Sequence, residues 1–415
     1  MSQPVSTAES HVASLPPHLK RYAQALSFLP PLGFSTTAAL HACGIRPRQA
    51  AQLAGLAESV VGSETGAPQV SQAAFHALNA ALEQLISLGI LEKQEERYRM
   101  PARFRTLLCT DAPTSTIQDD IILGYVDWIE KNRADASLML AEESGWRLAL
   151  DYSLSLPNLE AAAYLIGWTC APGGYFHRRR EHHVRLKLFQ RIIPLLQQRR
   201  DTQAAWLFFL YASTLRQLNE LEQAESALRH SITLADELDA IHEGGMARGE
   251  LAAICMQRHR FEEAMTLYEE KMAAMQRVHD PAEFAETIGE LAEALVVQQR
   301  HAEALDLMEQ RLGLLQSLGD SRGACLSRLA LGDVLAELLR FEEAVANYRL
   351  AMPILEALDP RNAAVAYANL GLYLSRQGKK EEALQTLELA TTHFERLKLH
   401  PQAQEVRQLM AELKV

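Results

Sequence analysis

The sequence predicts a mostly all-α protein, an α-solenoid of helical repeats joined to a smaller N-terminal domain that carries a β-hairpin. Three observations lead there. The chain is rich in Ala and Leu, holds only 7% aromatics and has few β-branched runs, which favours helices packed on helices. A four-residue motif recurs through the second half at almost constant spacing. The length of 415 residues leaves room for more than one folding unit.

The elements follow in chain order. Residues 1–17 (MSQPVSTAESHVASLPP) have neither a basic leader nor an apolar segment, so they read as a short disordered lead and not a secretory signal. Residues 18–115 hold a run of small helices, then an amphipathic helix from Ala74 to Leu88. An apolar strand, a polar turn, a second strand at Tyr98–Met100 and a further helix come next, which is the order of a winged-helix-like domain. Residues 116–200 form an irregular helical arm with helices near 118–132, 144–155, 158–170 and 181–198. The last two make a degenerate repeat, interrupted by Ala171-Pro172-Gly173-Gly174.

Residues 201–399 carry five repeats and residues 400–415 a capping helix. The motif is L-E-Q-A ending at Ala224, F-E-E-A at Ala264, H-A-E-A at Ala304, F-E-E-A at Ala344 and K-E-E-A at Ala383, with intervals of 40, 40, 40 and 39. Twelve residues before each alanine stands another small residue: Ala212, Ala252, Ala292, Gly332 and Gly371. Four residues after it stands a bulky one: Leu228, Tyr268, Met308, Tyr348 and Leu387. Two antiparallel helices approach closely only where small side chains meet, with large ones filling the space beside them. Neither helix buries its apolar face alone, so each pair stacks on the next. This pattern resembles the tetratricopeptide repeat (TPR) in its longer-helix form.

Four earlier stretches extend the resemblance. Phe34–Cys43 (FSTTAALHAC), the wing Leu91–Met100, Gly145–Tyr152 (GWRLALDY) and Glu160–Trp168 (EAAAYLIGW) are similar to the C-terminal parts of bacterial STAND signalling ATPases. In that family a nucleotide-binding domain precedes a winged helix, a helical arm and TPRs, and the winged helix usually serves as an internal packing piece. No G-x-x-x-x-G-K-[ST] motif occurs here, and Gly378-Lys379-Lys380 falls in a turn between helices. The resemblance therefore implies the sensor region of such a protein, bacterial and cytoplasmic, without the nucleotide-binding domain.

Charge and motifs narrow the function classes. Residues 201–415 carry 21 Lys+Arg and 34 Asp+Glu, whereas residues 1–200 carry 20 and 18. An acidic array does not suit a phosphate backbone. No eighteen-residue apolar stretch, catalytic signature, metal-ligand spacing or dinucleotide fingerprint appears, so the chain is expected to be neither an enzyme nor a cofactor protein. Five scattered cysteines (43, 109, 170, 255, 325) read as small hydrophobes in a reducing compartment.

Two candidate sites remain. If the first helix of each pair lines a groove, as the TPR resemblance implies, that groove presents Trp206, Phe209 and Arg216, then Met246 and Glu250, then Glu290 and Glu293, then Asp333, then Asn369 and Arg376. Its acidic middle suits a protein or peptide with a basic segment. The second candidate is an anion or nucleic-acid patch at Arg178, Arg179, Arg180, Arg185 and Lys187, within a stretch from His177 to Arg200 that has eight basic residues and one acid. The alternative to a peptide-binding adaptor is a transcription regulator whose winged helix contacts DNA while the array senses a peptide or small molecule. Against it, no Lys or Arg lies between Arg48 and Lys93, which leaves the Ala74–Leu88 helix without a cation for guanine or phosphate.

Overall fold

In the computed structural model, which describes residues 5–30, 33–43, 72–95, 97–108, 115–156 and 159–414, the first helix already begins inside the expected disordered lead. Helix α1 (Val5–Ala13) buries Ala8 and Val12, and His11 stacks on Phe104. Its apolar positions find a partner in the helix Ala102–Leu108, which the local composition does not reveal. Of the run of small helices expected before Ala74, the part over residues 44–71 lies outside the described residues.

The chain forms two units, Met1–Glu220 and Leu221–Val415. In the first, α2 (Pro17–Ser27), β1 (Phe34–Ser35), α3 (Thr36–Ala42) and α4 (Gln72–Ser87) precede β2 (Glu92–Gln94), β3 (Arg97–Arg99) and α5 (Ala102–Leu108). The sheet is antiparallel with order β1-β3-β2, pairing Phe34 with Tyr98 and Lys93 with Tyr98 on its two sides. The first strand of the hairpin is thus the exposed Glu92–Gln94, not the apolar run before it. That run closes α4: Gly89 takes φ +69, and the Ile90 N–H donates back to the Leu85 carbonyl. Arg105 ties the loop after α2, donating to the carbonyls of Ser27, Leu29 and Pro30.

The arm continues with α6 (Ser115–Asn132), α7 (Ala136–Ala141), α8 (Glu143–Ser153), α9 (Glu160–Cys170), α10 (Tyr175–Arg178), α11 (His182–Leu196) and α12 (Thr202–Gln217). Gly145 is required sterically, because a Cβ there would sit 1.8 Å from the Tyr125 hydroxyl. Trp146 beside it is fully buried, donates to the Met139 carbonyl and packs edge-on against Tyr175 and Phe176. One face of the GWRLALDY stretch, Gly145, Trp146, Ala149 and Leu150, is therefore core, while Asp151 is exposed.

The second unit holds α13 (Leu221–Glu237), α14 (Ile241–Gln257), α15 (Phe261–Arg277), α16 (Pro281–Val297), α17 (His301–Ser317), α18 (Ser321–Glu337), α19 (Phe341–Leu358), α20 (Pro360–Arg376), α21 (Lys380–Arg396) and α22 (His400–Lys414). Each packs against the next. The small-residue rule takes atomic form here. A Cβ at Gly332 would lie 2.6 Å from the Tyr348 ring and 3.3 Å from the Ala344 carbonyl; one at Gly371 would lie 2.6 Å from Leu387 and 3.3 Å from the Ala383 carbonyl.

The turns repeat as strictly as the helices. Residues 219, 239, 259, 279, 299, 319 and 339 all have positive φ, as do 378 and 398. After each, an amide donates to the carbonyl five residues back, as from Arg260 to Cys255 and from Arg340 to Leu335. The exception is at Asp359, where φ is −148° and a single residue links Leu358 to Pro360. The residue before a proline avoids helical backbone. The proline alone does not shorten the turn, since Asp280 precedes Pro281 and that turn keeps its positive-φ residue His279. That one missing residue is the interval of 39 among those of 40. Asp280, Asp320 and Asp359 each cap the following helix through a side-chain oxygen.

Candidate functional site

In the second unit, α14, α16, α18 and α20 are the first helices of their pairs. At about 100° per residue, positions two before and one after the small residue lie on the side turned away from it. Those positions hold Glu250 on α14, Glu290 and Glu293 on α16, Asp333 on α18 and Asn369 on α20, in equivalent register. Glu250, Glu290, Asp333 and Asn369 are half-buried, as is Met246 one turn earlier on α14, while Glu293 and Arg376 are exposed. The opposite side of each first helix, at Ala252, Ala292, Gly332 and Gly371, is buried.

Three carboxylates of α16, Glu283, Glu286 and Glu290, are already engaged. Lys271, on α15 and only 4% exposed in its side chain, places Nζ 2.7 Å from Glu283 and 2.8 Å from Glu290. Burial opposes its charge, but Glu290 and Glu283 outweigh that and hold its pKa above the ordinary 10.5. The stem reaches α16 because Gly249 leaves room for it; a Cβ there would lie 2.5 Å from Lys271 Cδ. Forty residues on, Arg311 repeats the device. Its guanidinium passes Gly289, where a Cβ would lie 2.8 Å away, and donates to Glu286 and to the Ala285 carbonyl. Sequence reasoning took Glu290 for a groove acid and missed both cations. The signal was the G-E-L-A tetrapeptide at 249 and 289, whose glycines oppose Lys271 and Arg311.

Asp333 stands in different company. Its Oδ1 accepts from the Tyr348 and Tyr373 hydroxyls, each at 2.5 Å, and Asn369 Nδ2 donates to Tyr348 Oη at 3.1 Å. Burial raises its pKa above the ordinary 3.8, the hydroxyls and Asn369 oppose this, and Glu337 one turn on adds to the rise. This constellation joins the first helices of two consecutive repeats.

In the first unit, Trp206, Phe209 and Arg216 lie on α12. Phe209 is 4% exposed and stacks with Trp206 at 4.8 Å between ring centres, so it belongs to the core and not to an open groove. Helix α12 packs on α9 and α11, and Phe209 falls three residues before Ala212, a register whose equivalents Gly249 and Gly289 are buried as well. Trp206 is half-buried, and a Cβ added at Gly167 of α9 would lie 3.9 Å from its ring. Arg216 is half-buried near the end of α12.

The basic run also disperses. Arg185 is buried, 1% exposed, and donates to Gln217, so it cannot join a surface patch. Arg178 caps the carbonyls of Arg133 and Ala134, and Arg179 pairs with Glu181 at 2.5 Å. Arg180 and Lys187 are exposed. Among the described residues no group of three or more His, Cys, Asp or Glu is placed to hold a metal ion, and no helix is long and apolar enough to cross a membrane.

These repeats define the class, and comparison with known families agrees. Residues 324–396 and 207–237 match the tetratricopeptide repeat family. No protein of curated function matches the sequence. Among solved structures, the fold is similar to a Signal Transduction ATPase with Numerous Domains (STAND) protein with a tetratricopeptide repeat sensor, from Pyrococcus horikoshii. The alignment covers 96% of this chain at 15% identity with a TM-score of 0.64, and the chain spans 54% of that protein's length. The apo form of RapI aligns over 66% of this chain and 77% of its own, with 13% identity and a TM-score of 0.55. The apo form of the quorum sensor NprR from B. thuringiensis aligns over 71% and 82%, with 10% identity and a TM-score of 0.50.

Proposed function

We propose that this chain is a non-catalytic adaptor or sensor that binds a protein or peptide through the first-helix face of its TPR array. One observation carries the reading. Four successive first helices carry partly exposed polar side chains at one of two positions, two before the small residue (Glu250, Asn369) or one after it (Glu293, Asp333). A periodic polar face on a stacked array offers an extended surface to a chain-like ligand. The similarity in fold to a protein described as bearing a TPR sensor, and to one described as a quorum sensor, supports the sensing role. A cytoplasmic location fits the buried, unlinked thiols of Cys170, Cys255 and Cys325. The winged-helix regulator has less support, since α4 carries no Lys or Arg from Gln72 to Ser87.

The test is selection of a displayed random-peptide library on the full chain, followed by charge reversal of Glu250, Glu293, Asp333 and Arg376. Loss of the selected peptide on reversal supports the reading. An empty selection, or a peptide indifferent to all four, contradicts it. Glu290 is left out of the set because reversing it would strand Lys271.

A further inference from the structure

The proposed function does not say where along the first-helix face a ligand's charge is taken up, and the side-chain partners differ sharply between repeats. On α16 the protein supplies its own cations: Lys271 to Glu283 and Glu290, and Arg311 to Glu286. On α18 the carboxylate of Asp333 is held by neutral donors, the Tyr348 and Tyr373 hydroxyls, both directed to Oδ1. Its charged neighbour is Glu337, four residues on along the same helix face and exposed.

We propose that Asp333, with Glu337 beside it, is the anchor for a cationic side chain, Arg above all, of the polypeptide bound on the first-helix face; this rests on the function proposed above.

Three features fit that ligand. A carboxylate accepts about four hydrogen bonds, and two hydroxyls on one oxygen fix its orientation while leaving acceptor capacity for a donor from outside. A desolvated carboxylate with only neutral donors gains most from an incoming cation, whereas one already paired gains little. The surroundings also supply apolar footing. Leu326 and Leu329 lie at i−7 and i−4 from Asp333 on α18, and both are half-buried against the core of this repeat pair. On α20, Val365 is 45% exposed and Leu372 half-buried, at positions equivalent to Leu326 and Asp333. The half-buried Tyr373 ring is held beside Asp333 by its own hydroxyl, so an aromatic ring adjoins the carboxylate that a guanidinium would approach. Arg is favoured over Lys because its planar fork can span two carboxylates one turn apart.

The test uses the full chain and a fluorescein-labelled dodecapeptide of four Ala-Leu-Arg units, with a second peptide in which citrulline replaces Arg, read by fluorescence anisotropy at physiological salt. Citrulline keeps the shape and removes the charge. The anchor predicts binding of the Arg peptide and about tenfold weaker binding of the citrulline peptide, the scale of a charge-assisted contact. D333N/E337Q should weaken the Arg peptide by a similar factor of about ten. D306N/E309Q removes the same charge from exposed positions on α17 and should change affinity less than about twofold. E337Q alone, at an exposed position that folding does not need, should weaken binding by about threefold. Equal losses in both double variants would show general attraction to an acidic protein and overturn the anchor. Binding lost on E250Q/E293Q but kept by D333N/E337Q overturns the anchor and leaves the first-helix reading standing. Failure of both peptides overturns the anchor, and the function reading falls with it only if the random library also selects nothing.

Discussion

Removing the Lys271 ammonium should loosen the array more than any other single charge change in the second unit. The Nζ group is buried between α14, α15 and α16, with Glu283 at 2.7 Å and Glu290 at 2.8 Å. Each contact has a gross attraction of about 6 kcal/mol at an effective dielectric of about 20, most of it offset by the desolvation already incurred. Taking one partner from a buried pair typically costs about 3–5 kcal/mol, because the other charge is left behind. Here Glu283 and Glu290 keep 25% and 33% exposure, so water recovers part of that loss. We expect K271A to cost about 3 kcal/mol, including the void against Gly249, and K271M, which refills that space, about 2 kcal/mol. Urea unfolding followed by circular dichroism measures both. Adding E290Q should soften the loss, with a coupling of about 1 kcal/mol or more in the double-mutant cycle. The reasoning is refuted if K271A costs less than about 1 kcal/mol, or if the two changes are additive.

Three further outcomes follow from the structure. Leu339 is 75% exposed and holds φ +61°, a conformation that strains a branched side chain, so L339G should raise the urea midpoint by the equivalent of about 0.5–1 kcal/mol; a lower midpoint argues against strain in the turn. Gly371 meets the Leu387 side chain and the Ala383 carbonyl, so G371V should cost about 2–3 kcal/mol by overpacking, seen as a fall in the same midpoint. Because burial raises the Asp333 pKa above 3.8, the folded chain binds that proton more tightly than the unfolded one, and wild-type stability falls as pH rises through the raised value. The stability of D333N relative to wild type should therefore improve as pH goes up through that window and level off above it; a difference independent of pH would show that the carboxyl is not perturbed.

The repeat was legible because its physics is local and periodic. A small residue must oppose a bulky one at fixed spacing, and Gly332 against Tyr348 meets that need in the structure just as the pattern requires. Even the short interval of 39 was visible, though the single-residue turn at Asp359 behind it needed the backbone. The site was less legible because it depends on what comes from outside each helix. Phe209, three residues before Ala212 and so in the register of Gly249 and Gly289, is buried where α12 packs on α9 and α11, the helices of the degenerate repeat. Glu290 reads as a solvated acid until Lys271 arrives from the preceding helix through the gap at Gly249. Arg185 reads as part of a basic surface until its burial against Gln217 is seen. Likewise β1 is two residues long, and only its pairing with Tyr98 and Arg97 reveals it as a strand.

Hydrogen–deuterium exchange of the full chain, with and without a peptide selected from the random library, locates the ligand directly. Binding on the first-helix face predicts slowed exchange at the exposed ends of α14, α16, α18 and α20, strongest around Asp333 and Asn369, with the second helices α15, α17 and α19 unchanged. Slowed exchange confined to those second helices, or to residues before Glu220, would contradict it.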